Sequence, residues 1–193
     1  MKTKLIIILL SLLIMSPNSM KALDFTKIIK DLNNTIYKKY LNRPYPTTKG
    51  YILVTPDAYK GIVPLGHSAL VWDKNKVIEA TTKGVVLGPN NWKLTKKKVF
   101  GLKVKNLSNA NMSKAANYAY KFLKKPYNYT FNDTKTRTKL YCSQLIWAAY
   151  LDLFNINLDT SFLGQANKTN KGMIHPVELI NSKNTETIYY HAK

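Results

Sequence analysis

The single cysteine, Cys142, stands in Tyr141-Cys142-Ser143-Gln144-Leu145-Ile146-Trp147-Ala148-Ala149-Tyr150, where apolar residues recur at three- and four-residue spacing. That spacing predicts a helix with the thiol in its first turn. Unpaired backbone N–H groups and the positive end of the helix dipole there favour the thiolate, the form that attacks carbonyl carbons. The plain alternative is a buried structural thiol, the usual state of a free cysteine. A nucleophilic cysteine needs a base and a third group to orient that base. Three histidines offer themselves: His67, His175 and His191. His191 is expected at a frayed terminus, and His175 precedes a proline with only Glu178 nearby. His67 opens a strand and has an acid, Glu79, one hairpin away. Cys142, His67 and Glu79 are therefore the candidate catalytic set.

These side chains must be positioned by a hairpin and a helix far apart in the chain. Gly66 to Trp72 and Val77 to Ala80 read as two strands joined by Asp73-Lys74-Asn75-Lys76. Side chains alternate along a strand, so parity decides whether the imidazole and the carboxylate share a face. An odd-numbered loop, or an equivalent bulge, puts His67, Ala69 and Val71 on one face with Val77, Glu79 and Thr81. A two-residue loop would put Glu79 on the other face. For Glu79 to serve His67, a three- or five-residue loop or an equivalent bulge is therefore expected.

The rest of the chain reads as a single α+β domain. An amphipathic helix is expected from Asp24 to Leu41, ended by Arg43-Pro44-Tyr45-Pro46. Short strands are expected at Tyr51–Thr55, Gly84–Leu87, Val99–Val104 and Thr185–Tyr190, with a turn at Gly88–Asn91. A further helix opens at Ser108 or Asn109 and runs to about Lys124, with Ala115, Ala116, Ala119, Tyr120 and Leu123 inward. Ahead of all this, Lys2 and Lys4 precede an uncharged apolar run from Leu5 to Met15. That run falls short of the about 20 residues that span a bilayer. It fits a secretory signal peptide over residues 1–22, leaving one domain over 23–193, with an uncleaved membrane anchor as the alternative. A lone thiol in an exported protein cannot form an internal disulfide and is open to oxidation, which favours a chemical role for Cys142.

The formal charge of the 193-residue chain is +20; removing Lys2, Lys4 and Lys21 with the leader lowers it to +17. Such a charge suits an anionic envelope component such as peptidoglycan-linked polymer, or peripheral contact with an anionic membrane. Most of it is lysine spread along the chain, with no arginine cluster or aromatic-glycine motif, so no nucleic-acid partner is expected. No histidine–acid group has metal-ligand spacing, and no cofactor or metal is expected.

Taken together, Gly66-His67-Ser68-Ala69-Leu70-Val71, Val77-Ile78-Glu79-Ala80 and Tyr141-Cys142-Ser143-Gln144-Leu145-Ile146-Trp147 resemble the circularly permuted branch of the NlpC/P60 papain-like cysteine hydrolases. In particular they are similar to the bacterial YiiX/YebB-like (YycO-like) group, in which the histidine precedes the cysteine. Pro126-Tyr127-Asn128 and Ile174-His175-Pro176-Val177-Glu178-Leu179 also look like family features, and the resemblance spans roughly residues 48 to 181. One departure is Gly50-Tyr51-Ile52, where the family usually has Gly-Asp-Ile. The resemblance implies a permuted papain-like fold, a small antiparallel sheet or partial barrel packed on helices with the nucleophile at a helix N-terminus. It implies a Cys-His-Glu hydrolase of amide bonds and, with export, peptidoglycan stem peptides as substrate. The Tyr127 and Tyr141 hydroxyls are further candidates for oxyanion or substrate contact beside the Cys142 amide. The same branch is similar to lecithin:retinol acyltransferase-like proteins, which implies lipid acyl groups as the alternative substrate. A non-catalytic basic wall-binding protein on the same scaffold is the third reading.

Overall fold

The computed structural model describes residues 37–57, 66–160 and 172–193. The expected leader, nearly all of the expected Asp24–Leu41 helix and the Ala58–Leu65 loop lie outside the described residues. All elements below belong to the unit Tyr40–Lys193.

Six strands form one open antiparallel sheet in the order β4-β3-β2-β1-β5-β6. They are β1 (Ile52–Thr55), β2 (His67–Val71), β3 (Lys76–Thr81), β4 (Gly84–Pro89), β5 (Lys98–Val104) and β6 (Thr185–Ala192). The sheet is not closed into a barrel. Strand β1, Ile-Leu-Val-Thr, is buried at every residue and sits between β2 and β5. Its apolar run, without alternation, is what a strand covered on both faces requires. The odd loop is observed: Val71 pairs with Val77 and Leu70 with Ile78, so the connection is Trp72–Lys76, five residues. Asp73 shapes it, its Oδ1 accepting from the amides of Asn75 (2.7 Å) and Lys76 (2.9 Å).

Four helices occur among the described residues: α1 (Trp92–Thr95), α2 (Asn109–Tyr120), α3 (Cys142–Phe154) and α4 (Pro176–Asn181). Ser108 caps α2, its Oγ accepting from the Asn111 amide at 3.2 Å. Asn155 ends α3 in the left-handed conformation, which asparagine tolerates. Helix α3 packs on β2, β3 and α2, and α4 on β1 and β6. The Tyr150 hydroxyl donates to the Gly50 carbonyl at 2.5 Å, tying α3 to the start of β1.

Four expectations are corrected. Strand β4 runs on through Gly88 to Pro89, where a turn was expected, because its ladder with β3 extends to Lys76↔Pro89. It is an edge strand, where a proline costs no ladder bond. Tyr120 is exposed and stacks on Trp72, with ring centroids 4.5 Å apart. Helix α2 also stops at Tyr120 rather than near Lys124, the chain going on in turns. His191 lies within β6, paired with Val99, and is not frayed.

Candidate active site

Cys142 is the first residue of α3 and is 7% exposed. The helix starts there because the preceding chain is held extended and tied down. Gln144 reaches back, its Oε1 accepting from the Tyr141 amide (3.3 Å) and from Asn128 Nδ2 (3.0 Å). Its Nε2 donates to the carbonyls of Asp133 (3.1 Å) and Thr136 (3.3 Å). Asn128 and Gln144 are both fully buried, so these bonds fix the loop between α2 and α3 against the first turn. On the other side, Tyr141 and Ser143 claim both polar groups of Ile174. The Tyr141 hydroxyl accepts from its amide at 3.0 Å, and Ser143 Oγ donates to its carbonyl at 2.5 Å.

The base comes from the hairpin. Gly66 precedes it with φ +67°, and a Cβ there would stand 2.6 Å from the Thr55 carbonyl oxygen, so glycine is needed to bring His67 in. His67 Nε2 is 2.6 Å from Glu79 Oε2, and the side chains are 22% and 13% exposed. This leaves Nδ1 for the thiol of Cys142, which lines the same cleft and whose interaction with the imidazole raises the ring's pKa. The three predicted groups thus meet in one place. Burial alone would lower the imidazole pKa, but hydrogen bonds and charge from Cys142 and Glu79 outweigh it and raise it to about 9. Burial likewise pushes the Cys142 thiol up. The His67 hydrogen bond and charge, then the bonds from Ser143, more than offset this and hold it below its ordinary value. The pair is therefore set up as thiolate and imidazolium.

Trp92 was not singled out from the sequence. Its ring stacks on His67, with centroids 5.4 Å apart and planes at 25°, and it is buried with Leu53, Ala69, Val71 and Val77. It backs one face of the imidazole whose Nε2 Glu79 holds. Asn128 belonged to a motif noted in the sequence, but its pairing with Gln144 spans 16 positions and no local signal reveals it.

A cleft of about 530 Å³ opens on the three groups. Tyr127, Tyr129, Phe131 and Tyr141 line one wall, linked by ring contacts of 4.9, 6.3 and 5.5 Å. Asp57, Thr81, Thr82 and Lys96 contribute to the lining as well. Both expected tyrosines thus face the cleft. Burial raises the Tyr141 phenol strongly, so it stays neutral. His175 is elsewhere employed: it precedes α4, and its amide donates to Glu178 Oε2 at 2.8 Å.

An antiparallel sheet that presents a histidine–carboxylate pair to a thiol at a helix start, with the histidine earlier in the chain, defines a permuted papain-like cysteine hydrolase. Residues 57–189 match the family of permuted papain-like amidase enzymes, YaeF/YiiX, C92, and the chain belongs to that family. Among solved structures it is similar to the metalloprotein yiiX from Escherichia coli O157:H7. The identity is 18% and the TM-score 0.57, over 78% of this chain and 100% of that one. No curated protein matches the sequence. That relative is described as a metalloprotein; among the described residues here, no group of three or more His, Cys, Asp or Glu side chains is placed to hold a metal ion. The Nε2 of His67 is already engaged by Glu79.

Proposed function

We propose that this cysteine amidase works through Cys142, His67 and Glu79, outside the cytoplasm, on an amide of the cell envelope. The observation that carries the reading is the 2.6 Å contact of His67 Nε2 with Glu79, on an imidazole that also bonds the helix-start thiol. The Cys142 sulfur attacks the carbonyl carbon, and the C–N bond breaks as His67 gives its proton to the departing amine. Water, deprotonated by the same imidazole, then cleaves the thioester and restores the thiol. Glu79 keeps the ring oriented and supports its positive form. The backbone amide of Cys142 at the helix start donates to the oxyanion, with the Tyr127 and Tyr141 hydroxyls as further candidates on the cleft wall. The +20 charge and the apolar leader support an exported enzyme acting on peptidoglycan stem peptides. The aromatic wall supports a second substrate, a lipid acyl group lying along Tyr127, Phe131 and Tyr141.

Purified peptidoglycan and, separately, phospholipid vesicles are digested with the protein and the products read by mass spectrometry. Cys142→Ala is expected to lower turnover by roughly 10⁶-fold with the fold intact, and Glu79→Gln by roughly 10⁴-fold. Full turnover in folded Cys142→Ala would remove the proposal. Binding to wall material with no turnover by either protein would leave the non-catalytic reading.

A further inference from the structure

Glu79 stands in the middle of β3, opposite Val86, while Val77 stands opposite Gly88 on β4. All four positions project to one side of the sheet. Built onto Gly88, a Cβ would lie 1.8 Å from Glu79 Oε1 and 2.8 Å from its Cδ. No side chain fits while the carboxylate is there. The backbone gives no other reason for glycine, since among the described residues the positive-φ glycines are Gly50, Gly66 and Gly84. A glycine inside a strand forfeits packing and conformational entropy, so its presence in ordinary extended backbone needs a cause. The cause is the carboxylate. One oxygen rests in the space over Gly88, and the other, 2.6 Å from Nε2, is on His67. Because the added Cβ crowds Cδ at 2.8 Å and Cγ at 3.4 Å as well as Oε1, the end of the side chain must move as a whole, and Oε2 on the imidazole moves with it.

We propose that Gly88 is a positioning residue: the notch it leaves in β4 holds Glu79 in the conformation that meets His67. This rests on the Cys142–His67–Glu79 reading and adds a fourth position to it, one that touches neither the sulfur nor the imidazole.

The test compares the unaltered protein with Glu79→Ala, Gly88→Ala and the double variant. The readouts are the rate of iodoacetamide alkylation of Cys142 at pH 7, the melting temperature, and the proton resonance of the His67 Nε2–H held by Glu79. Losing the carboxylate weakens the imidazolium and with it the thiolate, so Glu79→Ala and Gly88→Ala should each slow alkylation roughly tenfold. Both should also lose the Nε2–H resonance. The double variant should be no slower than Glu79→Ala. Gly88→Ala should lower the melting temperature of the unaltered protein, yet raise it or leave it unchanged when Glu79 is Ala, because the added methyl then meets empty space. A Gly88→Ala protein that fails to fold while the double variant folds supports the notch equally. A normal rate and resonance in Gly88→Ala, beside slowing in Glu79→Ala, overturns the notch and leaves the site reading standing. Additive slowing in the double variant, or its failure to fold, also overturns the notch. An unaltered rate in Glu79→Ala overturns the site reading and the notch together.

Discussion

At residue scale, burial and pairing pull in opposite directions at the site, and pairing prevails. An isolated buried thiol would stay protonated and an isolated buried imidazole would stay neutral. Here each stabilises the charged form of the other, and Glu79 supports the imidazole from behind. Thiolate appears as pH rises through a value below the ordinary 9, and the imidazolium is lost as pH climbs through about 9. Turnover should therefore fall above about pH 9, and alkylation of Cys142 should already be fast at neutral pH. Cys142→Ala removes the leading upward influence on His67, so its imidazole should titrate at lower pH in that variant, as followed by histidine NMR signals. An imidazole still titrating near pH 9 without the thiol would contradict this account.

At the scale of elements, the first turn of α3 owes its precision to side chains from outside the helix. Gln144 satisfies four groups at once, two donors and two carbonyls. Gln144→Ala would take one acceptor from buried Asn128, which keeps its bonds to Asp133 and Thr130, and a donor from the Thr136 carbonyl. It would cost about 2–3 kcal/mol, read as a drop in melting temperature of several degrees. An unchanged melting temperature would mean the loop is held by other contacts. The hairpin and the helix start were legible in the sequence from local patterns, turn residues between two apolar strands and apolar spacing after Cys142; the loop's parity followed from requiring Glu79 to share a face with His67. Helix α1 was not legible, since four residues carry no periodicity, and the stacking of Trp92 on His67 depends on the whole sheet. Gly88-Pro89 has the composition of a turn; only the ladder with β3 makes it strand. The exposure of Tyr120 was hidden for a similar reason, because its partner Trp72 sits at the distant hairpin tip.

At the scale of the molecule, the charge outruns what the site requires. A chain of +20 is drawn to polyanions over a Debye length of about 10 Å at 0.1 M salt and about 3 Å at 1 M. Co-sedimentation with walls bearing anionic polymer should thus be strong at low salt and largely lost at 1 M, with Cys142→Ala behaving identically. Retention at 1 M salt would point to specific recognition instead. Fold class and the meeting of the three groups followed from the sequence and its family resemblance. The open sheet and the aromatic wall became visible only when distant segments were brought together.

The stacking of Trp92 on His67 makes the site self-reporting. A protonated imidazole quenches indole emission more strongly than a neutral one, so light from that tryptophan should brighten as the ring gives up its proton. The enzyme's readiness to react can then be followed by fluorescence with no substrate present.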